Sequence, residues 1–160
     1  MMTKRLYIFI ALLLLCLQFS PVNSFAQLKQ YQFEQIDSLQ NISKKPVAVF
    51  IKTQWCRYCH SMQQTSLKDR TVISSLNKNY YFISFDAEQE QDINFNNKIF
   101  SFIPTGNKTG VQQLAEQLGT IDGELSYPTL CILDPNNRIL LRRSGFLTQN
   151  ELILILRKLE

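Results

Sequence analysis

Residues 47–62 read VAVFIKTQWCRYCHSM, an apolar run followed closely by two cysteines. Residues 47–51 are apolar at every position, which is typical of a strand buried on both faces of a sheet that helices cover. Neither Gly nor Pro occurs between residues 55 and 67, and this predicts a helix that opens near Cys56. The stretch therefore predicts a buried strand that passes directly into a helix, with the cysteine pair at the junction.

A cysteine at such a junction has a specific chemistry. The unpaired N–H groups and the dipole of a helix N-terminus stabilise negative charge, so we expect a lowered pKa for the Cys56 thiol and a nucleophilic thiolate. The neighbouring Arg57 is expected to add to this effect. Cys59 lies about one helical turn further on, placed to attack Cys56 once a mixed disulfide has formed. The pair is thus predicted to carry out thiol–disulfide exchange.

Two motifs of this sequence resemble those of the thioredoxin superfamily. One is residues 47–62, with Trp55 before the first cysteine; the other is Tyr127-Pro128-Thr129, which precedes a further apolar strand. The resemblance covers residues 44–160 and is nearest to the exported thioredoxin-like proteins of Gram-negative bacteria. It implies a cis peptide bond before the proline, and a substrate groove formed by Tyr127, Pro128 and Thr129.

The resemblance also implies roles for the residues around the cysteines. The Cys56–Cys59 pair is expected to be the redox-active centre, and no bound cofactor is expected. For Trp55 the resemblance favours a lid beside the disulfide over a simple packing role. His60 either tunes Cys56 or shuttles protons, or it is a plain helix-surface residue, which is the more frequent case. The residues expected to tune the redox pair are Trp55, Arg57, Tyr58 and His60.

Three features depart from the family pattern. Phe50 stands six residues before Cys56, where thioredoxins keep a buried Asp. The dipeptide between the cysteines is Arg-Tyr instead of Gly-Pro, and its positive charge is expected to favour the thiolate and raise the reduction potential. The separation of Cys56 and Pro128 is longer than the family core needs. Lys52 either supplies a charge near Cys59 or, as we expect, ends its strand in solvent.

The rest of the chain predicts one domain over residues 27–160, with an insertion at about 87–124. Its fold class is α/β: a thioredoxin-like fold whose central mixed β-sheet is flanked by helices on both faces, with the insertion before the cis-proline strand. The aromatic residues at 95–103 either contact substrate or form the core of a longer helical excursion. Helices are expected from Phe33 onward and at 71–77, 111–118 and 148–160, and strands at 80–85, 129–133 and 139–141.

The first 26 residues have the pattern of a secretory signal peptide. Lys4 and Arg5 precede the apolar residues 6–17, and a cleavage site is expected before Gln27. The apolar run is too short for a membrane span, so no stable insertion is expected after cleavage. The sequence therefore predicts a periplasmic protein. Its expected partners are the thiols and disulfides of other exported proteins and a redox partner at the membrane.

Composition excludes several classes of protein. Hydrophobic residues make up 45% and charged residues 19% of the chain, which is typical of a packed domain and not of a disordered one. The net charge is +4, and it falls near neutrality once the two basic residues of the signal peptide are removed. Because no run of basic residues is present, nucleic-acid binding is not expected.

Three other interpretations remain open on sequence alone. Cys56-Arg57-Tyr58-Cys59-His60 is also C-x-x-C-H, the attachment motif of c-type haem, although that function needs a mostly helical chain. A metal carrier would use Cys56, Cys59 and His60 as ligands, although structural zinc prefers four. A thioredoxin-fold module that binds partners without catalysis is the third. Cys131 lies within an apolar strand and is predicted to be a buried, inert thiol.

Overall fold

The computed structural model describes residues 27–107 and 109–159. The predicted signal peptide at 1–26 lies outside the described residues. The helices are α1 (Phe33–Ile42), α2 (Arg57–Gln64), α3 (Arg70–Asn79), α4 (Gln113–Gly119) and α5 (Gln149–Lys158). The strands are β1 (Val47–Lys52), β2 (Tyr81–Asp86), β3 (Ile93–Phe95), β4 (Lys98–Phe100), β5 (Phe102–Gly106), β6 (Thr109–Gln112), β7 (Thr129–Leu133) and β8 (Ile139–Ser144). None of the helices in the described ranges combines the length and hydrophobicity of a membrane span.

The central sheet has four strands in the order β2-β1-β7-β8. Strand β1 runs parallel to β2, with Val47 opposite Tyr81, and antiparallel to β7 on its other side. Strand β8 pairs antiparallel with β7. The predicted mixed sheet is therefore confirmed, and helices α2 and α3 form the crossover that the parallel pair requires.

Helices cover both faces of this sheet, as predicted. On one face, α1 and α4 bury Phe33 and Leu114 in the cluster that contains Val49 and Ile51 of β1. On the other face, α2, α3 and α5 pack around Phe50. Successive side chains of a strand point to opposite faces, and both faces are covered here, which explains why residues 47–51 contain no polar position.

The segment between β2 and β7 contains two hairpins and a short helix. Strand β3 pairs with β4 across Asn96 and Asn97, whose φ angles of 54° and 58° are left-handed, a conformation that Asn adopts more readily than most residues. The helical excursion considered for residues 95–103 is therefore wrong. The helix predicted at 111–118 is wrong at its start, because residues 109–112 pair with β5 as strand β6.

Both ends of the segment between β2 and β7 lie at one edge of the central sheet. Strands β1 and β2 are parallel, so their C-terminal ends share an edge, and β7, antiparallel to β1, begins at that same edge. Strand β1 leads through a short loop to Cys56. The chain just after Asp86 and the chain just before Thr129 therefore flank the cysteine junction.

Candidate active site

The two cysteines form a disulfide at the start of α2. Their Sγ atoms are 2.09 Å apart and their Cα atoms 5.2 Å apart. Cys56 is the N-cap residue of α2, and its Sγ accepts a hydrogen bond from the Cys59 backbone N–H at 3.1 Å. The sulfur thus lies where the helix presents unpaired donors, the position from which a thiolate gains stabilisation after reduction.

The two sulfurs differ in their exposure. Cys56 is 5% exposed, whereas Cys59 is fully buried and packs in one cluster with Phe50 and Met62. Of the pair, only Cys56 offers surface to another molecule, which is the arrangement that the predicted roles require. That Cys56 attacks and Cys59 resolves stays a prediction.

The Tyr127–Pro128 peptide bond is cis and lies at the start of β7. Thr129 Oγ1 donates a hydrogen bond to the Ser126 carbonyl at 2.7 Å. The Pro128 carbonyl accepts a hydrogen bond from the Gly145 N–H at 2.8 Å, which ties this loop to the end of β8. The predicted groove residues thus form a turn that hydrogen bonds join to Ser126 and to Gly145.

Tyr127 contributes an uncharged phenol to this turn. Burial, and then the carboxylates of Glu88, Asp86 and Glu116, raise the pKa of Tyr127 to about 12. The phenol therefore stays protonated throughout the physiological range and offers an aromatic surface and a hydroxyl, not a base.

Trp55 links the two motifs of the sequence. Its ring packs edge-to-face on Tyr127, with centroids 5.9 Å apart and an interplanar angle of 81°. Its Nε1–H donates to the Glu88 carboxylate, at 3.0 Å to Oε1 and 3.1 Å to Oε2. The indole is nevertheless 66% exposed. The structure therefore brings Trp55, the disulfide and the cis-proline turn to one surface.

Glu88 is the residue that the sequence analysis missed. It follows β2 by two residues and belongs to no motif. The signal that would have found it is topological: the C-terminal ends of parallel strands share an edge, so polar residues just after residues 80–85 are expected beside those that follow 47–51.

The other three predicted tuning residues lie on the outer side of the site. Arg57 is exposed and Tyr58 is 69% exposed. His60 Nε2 lies 2.7 Å from the Gln54 carbonyl oxygen, and since a carbonyl only accepts, this nitrogen carries the proton. This hydrogen bond joins the first turn of α2 to the loop that precedes the helix. That these residues tune the disulfide stays a prediction.

Phe50 and Lys52 of β1 are the two residues that the sequence analysis considers in connection with the missing acidic group. Phe50 is fully buried in the cluster that contains both cysteines. Lys52 is the last residue of β1, as expected. Its expected position in solvent is wrong, because its side chain is only 20% exposed and its Nζ lies 3.8 Å from Asp86 Oδ2. The register explains the pair, since Lys52 and Asp86 are direct neighbours in the parallel strands.

Cys131 is separate from the redox pair. It is fully buried, and it belongs to the cluster on the face of the sheet opposite to that of Cys56 and Cys59. Burial raises the pKa of the Cys131 thiol to about 12. The thiol therefore remains protonated and unreactive, as predicted. Within the described ranges no group of three or more His, Cys, Asp or Glu residues is placed to hold a metal ion.

Comparison with known proteins identifies a family. A family model described as a thioredoxin-like domain matches residues 33–160. No curated protein gives a significant match to the sequence.

Several solved structures share the fold. The solution structure of a thioredoxin from Thermus thermophilus is 21% identical with a TM-score of 0.57, covering 82% of this chain and 85% of that one. DsbH oxidoreductase is 16% identical with a TM-score of 0.52, covering 79% and 80%. The oxidised C-terminal domain of DsbD from Neisseria meningitidis is 16% identical with a TM-score of 0.51, covering 79% and 91%. At these identities the likeness is one of fold.

Proposed function

We propose that this protein, which belongs to the thioredoxin-like domain family and is a thiol–disulfide oxidoreductase, exchanges disulfides with exported proteins in the periplasm. The proposal concerns the place of action and the substrate class. The observation that carries it is the disulfide itself. Cys56 caps a helix and is 5% exposed, Cys59 is fully buried, and Trp55, next to Cys56 in the chain, packs on Tyr127 of the cis-proline turn.

The reaction proceeds through two exchanges at sulfur. In the reducing direction, the Cys56 thiolate attacks one sulfur of a client disulfide, and the client's other sulfur leaves as a thiolate that takes up a proton. The Cys59 thiolate then attacks Cys56 Sγ, which re-forms the Cys56–Cys59 bond and releases the client's second thiolate. Two electrons pass to the client, and the reverse sequence oxidises a client dithiol. The proposal needs no cofactor besides this pair.

Each turnover leaves the cysteine pair in the opposite redox state. Sustained activity therefore requires a second partner that restores the starting state, and we place this partner at the membrane. Export is supported by the sequence of residues 1–26, with a basic start, an apolar run and a cleavage site before Gln27.

The alternatives make different demands on the fold. A c-type haem protein that uses Cys56, Cys59 and His60 needs a mostly helical chain, whereas a mixed sheet forms the centre of this one. A non-catalytic binding module keeps this fold, and its binding does not depend on the Cys56 thiol. Replacement of Cys56 by Ser therefore separates the two remaining candidates.

Trapping in the native host tests the proposal. The Cys59→Ala variant retains Cys56 but lacks the thiol that resolves the mixed disulfide, so exported clients should accumulate as adducts that reducing agent releases. The Cys56→Ser variant is the matched control and should trap none. Mass spectrometry of the periplasmic fraction should find a mature chain that begins at Gln27. Adducts formed only with cytoplasmic proteins, or a chain retained in the cytoplasm, would refute the proposal.

A further inference from the structure

Glu88 makes an interaction that neither the motifs nor the exchange chemistry explains. Both oxygens of its carboxylate accept from the single indole N–H of Trp55, at 3.0 and 3.1 Å. Its own backbone N–H donates to Asp86 Oδ1 at 3.1 Å, and the Gln89 N–H donates to the Asp86 carbonyl at 3.2 Å. The Glu88 carboxylate therefore projects from a hydrogen-bonded turn at the C-terminal end of β2.

Trp55 needs such a restraint if it is to keep one orientation. Two thirds of the side chain is exposed, and an exposed side chain ordinarily samples several rotamers. A hydrogen bond to a carboxylate is stronger than one between neutral groups, and the edge-to-face contact with Tyr127 restrains the ring from a second side. Together these contacts hold the indole between the Glu88 carboxylate and the ring of Tyr127, the residue before the cis-proline.

We propose that Glu88 is a positioning residue that holds Trp55 as one wall of the client groove and thereby determines which protein disulfides bind productively. The inference rests on the proposed function of the Cys56–Cys59 pair. Glu88 acts through Trp55 and touches no reacting atom. Its loss should therefore weaken the binding of a protein substrate more than it slows exchange at sulfur.

The test compares three variants of the full mature chain. Glu88→Ala removes the acceptor, Glu88→Gln keeps an oxygen for the indole N–H but removes the charge, and Glu90→Ala removes one charge from an exposed position in the same segment. Insulin serves as the protein disulfide and oxidised glutathione as the small one. We expect Glu88→Ala to raise KM for insulin about three- to tenfold, with a smaller change in kcat, because a bond made by an exposed indole contributes less than a buried hydrogen bond to a charged group.

Trp55 is the only tryptophan of the chain, so its fluorescence reports on the same contact. Glu88→Ala should lower the fluorescence anisotropy and increase quenching by acrylamide, and Glu88→Gln should restore most of both the anisotropy and KM. The Glu90→Ala control should behave as the parent protein. The ratio of insulin to glutathione turnover should fall only where the indole is released.

Three results would overturn the inference. In the first, Glu88→Ala has the KM and the anisotropy of the Glu90→Ala control. In the second, insulin and glutathione turnover fall by the same factor, which places the effect at sulfur. In the third, Glu88→Gln is as impaired as Glu88→Ala, which makes the charge and not the indole bond responsible. Failure of the parent protein to reduce insulin would instead count against the proposed function, and the fluorescence comparison would still decide whether Glu88 holds Trp55.

Discussion

The reduced Cys59→Ala variant lacks the resolving thiol and keeps Cys56 as a free thiol. We expect the thiolate form of Cys56 to be more stable in the folded variant than in its unfolded chain. In the reduced Cys59→Ala variant, the backbone N–H of residue 59 remains, and this group donates to Cys56 Sγ at 3.1 Å in the disulfide form. A hydrogen bond to a charged group contributes about 1.5–3 kcal/mol, and a partly buried helix N-terminus contributes up to about 2 kcal/mol.

Desolvation destabilises the thiolate and so opposes this gain, because Cys56 is only 5% exposed. If it offsets about half of a combined gain of about 3.5–5 kcal/mol, the thiolate keeps roughly 1.75–2.5 kcal/mol, which corresponds to about one to two pH units. Nucleophilicity falls along with thiol acidity, with a Brønsted coefficient of about 0.4–0.5, so a shift of about 1.5 units slows the thiolate roughly fivefold. The rate at neutral pH therefore rises only a few-fold, and the pH midpoint is the more informative observable.

The assay is the alkylation rate of the peptide that carries Cys56, measured by mass spectrometry over a range of pH. The same variant in guanidinium chloride is the control, because it keeps the thiol and loses the helix. The midpoint in the folded protein should lie about one to two pH units below that of the unfolded chain. Coincident midpoints would refute the argument that the start of α2 activates this sulfur.

Three further predictions concern the residues around the disulfide. Because burial raises the pKa of the Cys131 thiol to about 12, iodoacetamide should modify it only after unfolding, and modification of the folded protein at the rate of a free thiol would contradict its placement. The pKa of Tyr127 is raised from 10 to about 12 by burial and nearby carboxylates, so the folded state favours the neutral phenol; its contribution to stability is complete below pH 10 and is lost as the pH rises toward 12. Tyrosinate absorbance and urea midpoints measure this loss, and a stability that is constant across that interval would argue against it. Phe50→Asp should lower the free energy of unfolding by more than about 4 kcal/mol, because it removes a fully buried ring and buries a carboxylate; a loss below about 1 kcal/mol in urea denaturation would mean that the site is hydrated.

The parts of the fold that depend on local sequence were predicted well. The apolar run at 47–51 forms β1, and α2 begins directly after Cys56. The helix expected at 148–160 begins with a capping box, in which the Thr148 side chain accepts from the Glu151 N–H. In each case the determining interactions lie within a few residues of each other, so the sequence pattern alone contains them.

The inserted segment was harder to predict because its structure depends on pairing between short strands. Strands β3 and β4 have three residues each, too few to display a period. Val111 lies at helical spacing from Leu114 and Leu118, yet it pairs with Ile103 across the β5–β6 hairpin. The Asn96-Asn97 turn was the one local signal for a hairpin, and the polar residues around it made the segment resemble a loop.

The same segment connects the missed residue to the site. The insertion starts where β2 ends and finishes where β7 begins, so Glu88 at its start and Tyr127 just beyond it both meet Trp55. The cysteine pair lies within the family motif. Glu88 and Tyr127, which hold the Trp55 indole, lie at the two ends of the segment that departs from the family pattern. On this arrangement we expect the chemistry to be shared with the family and the choice of client to be set by the residues that surround Trp55.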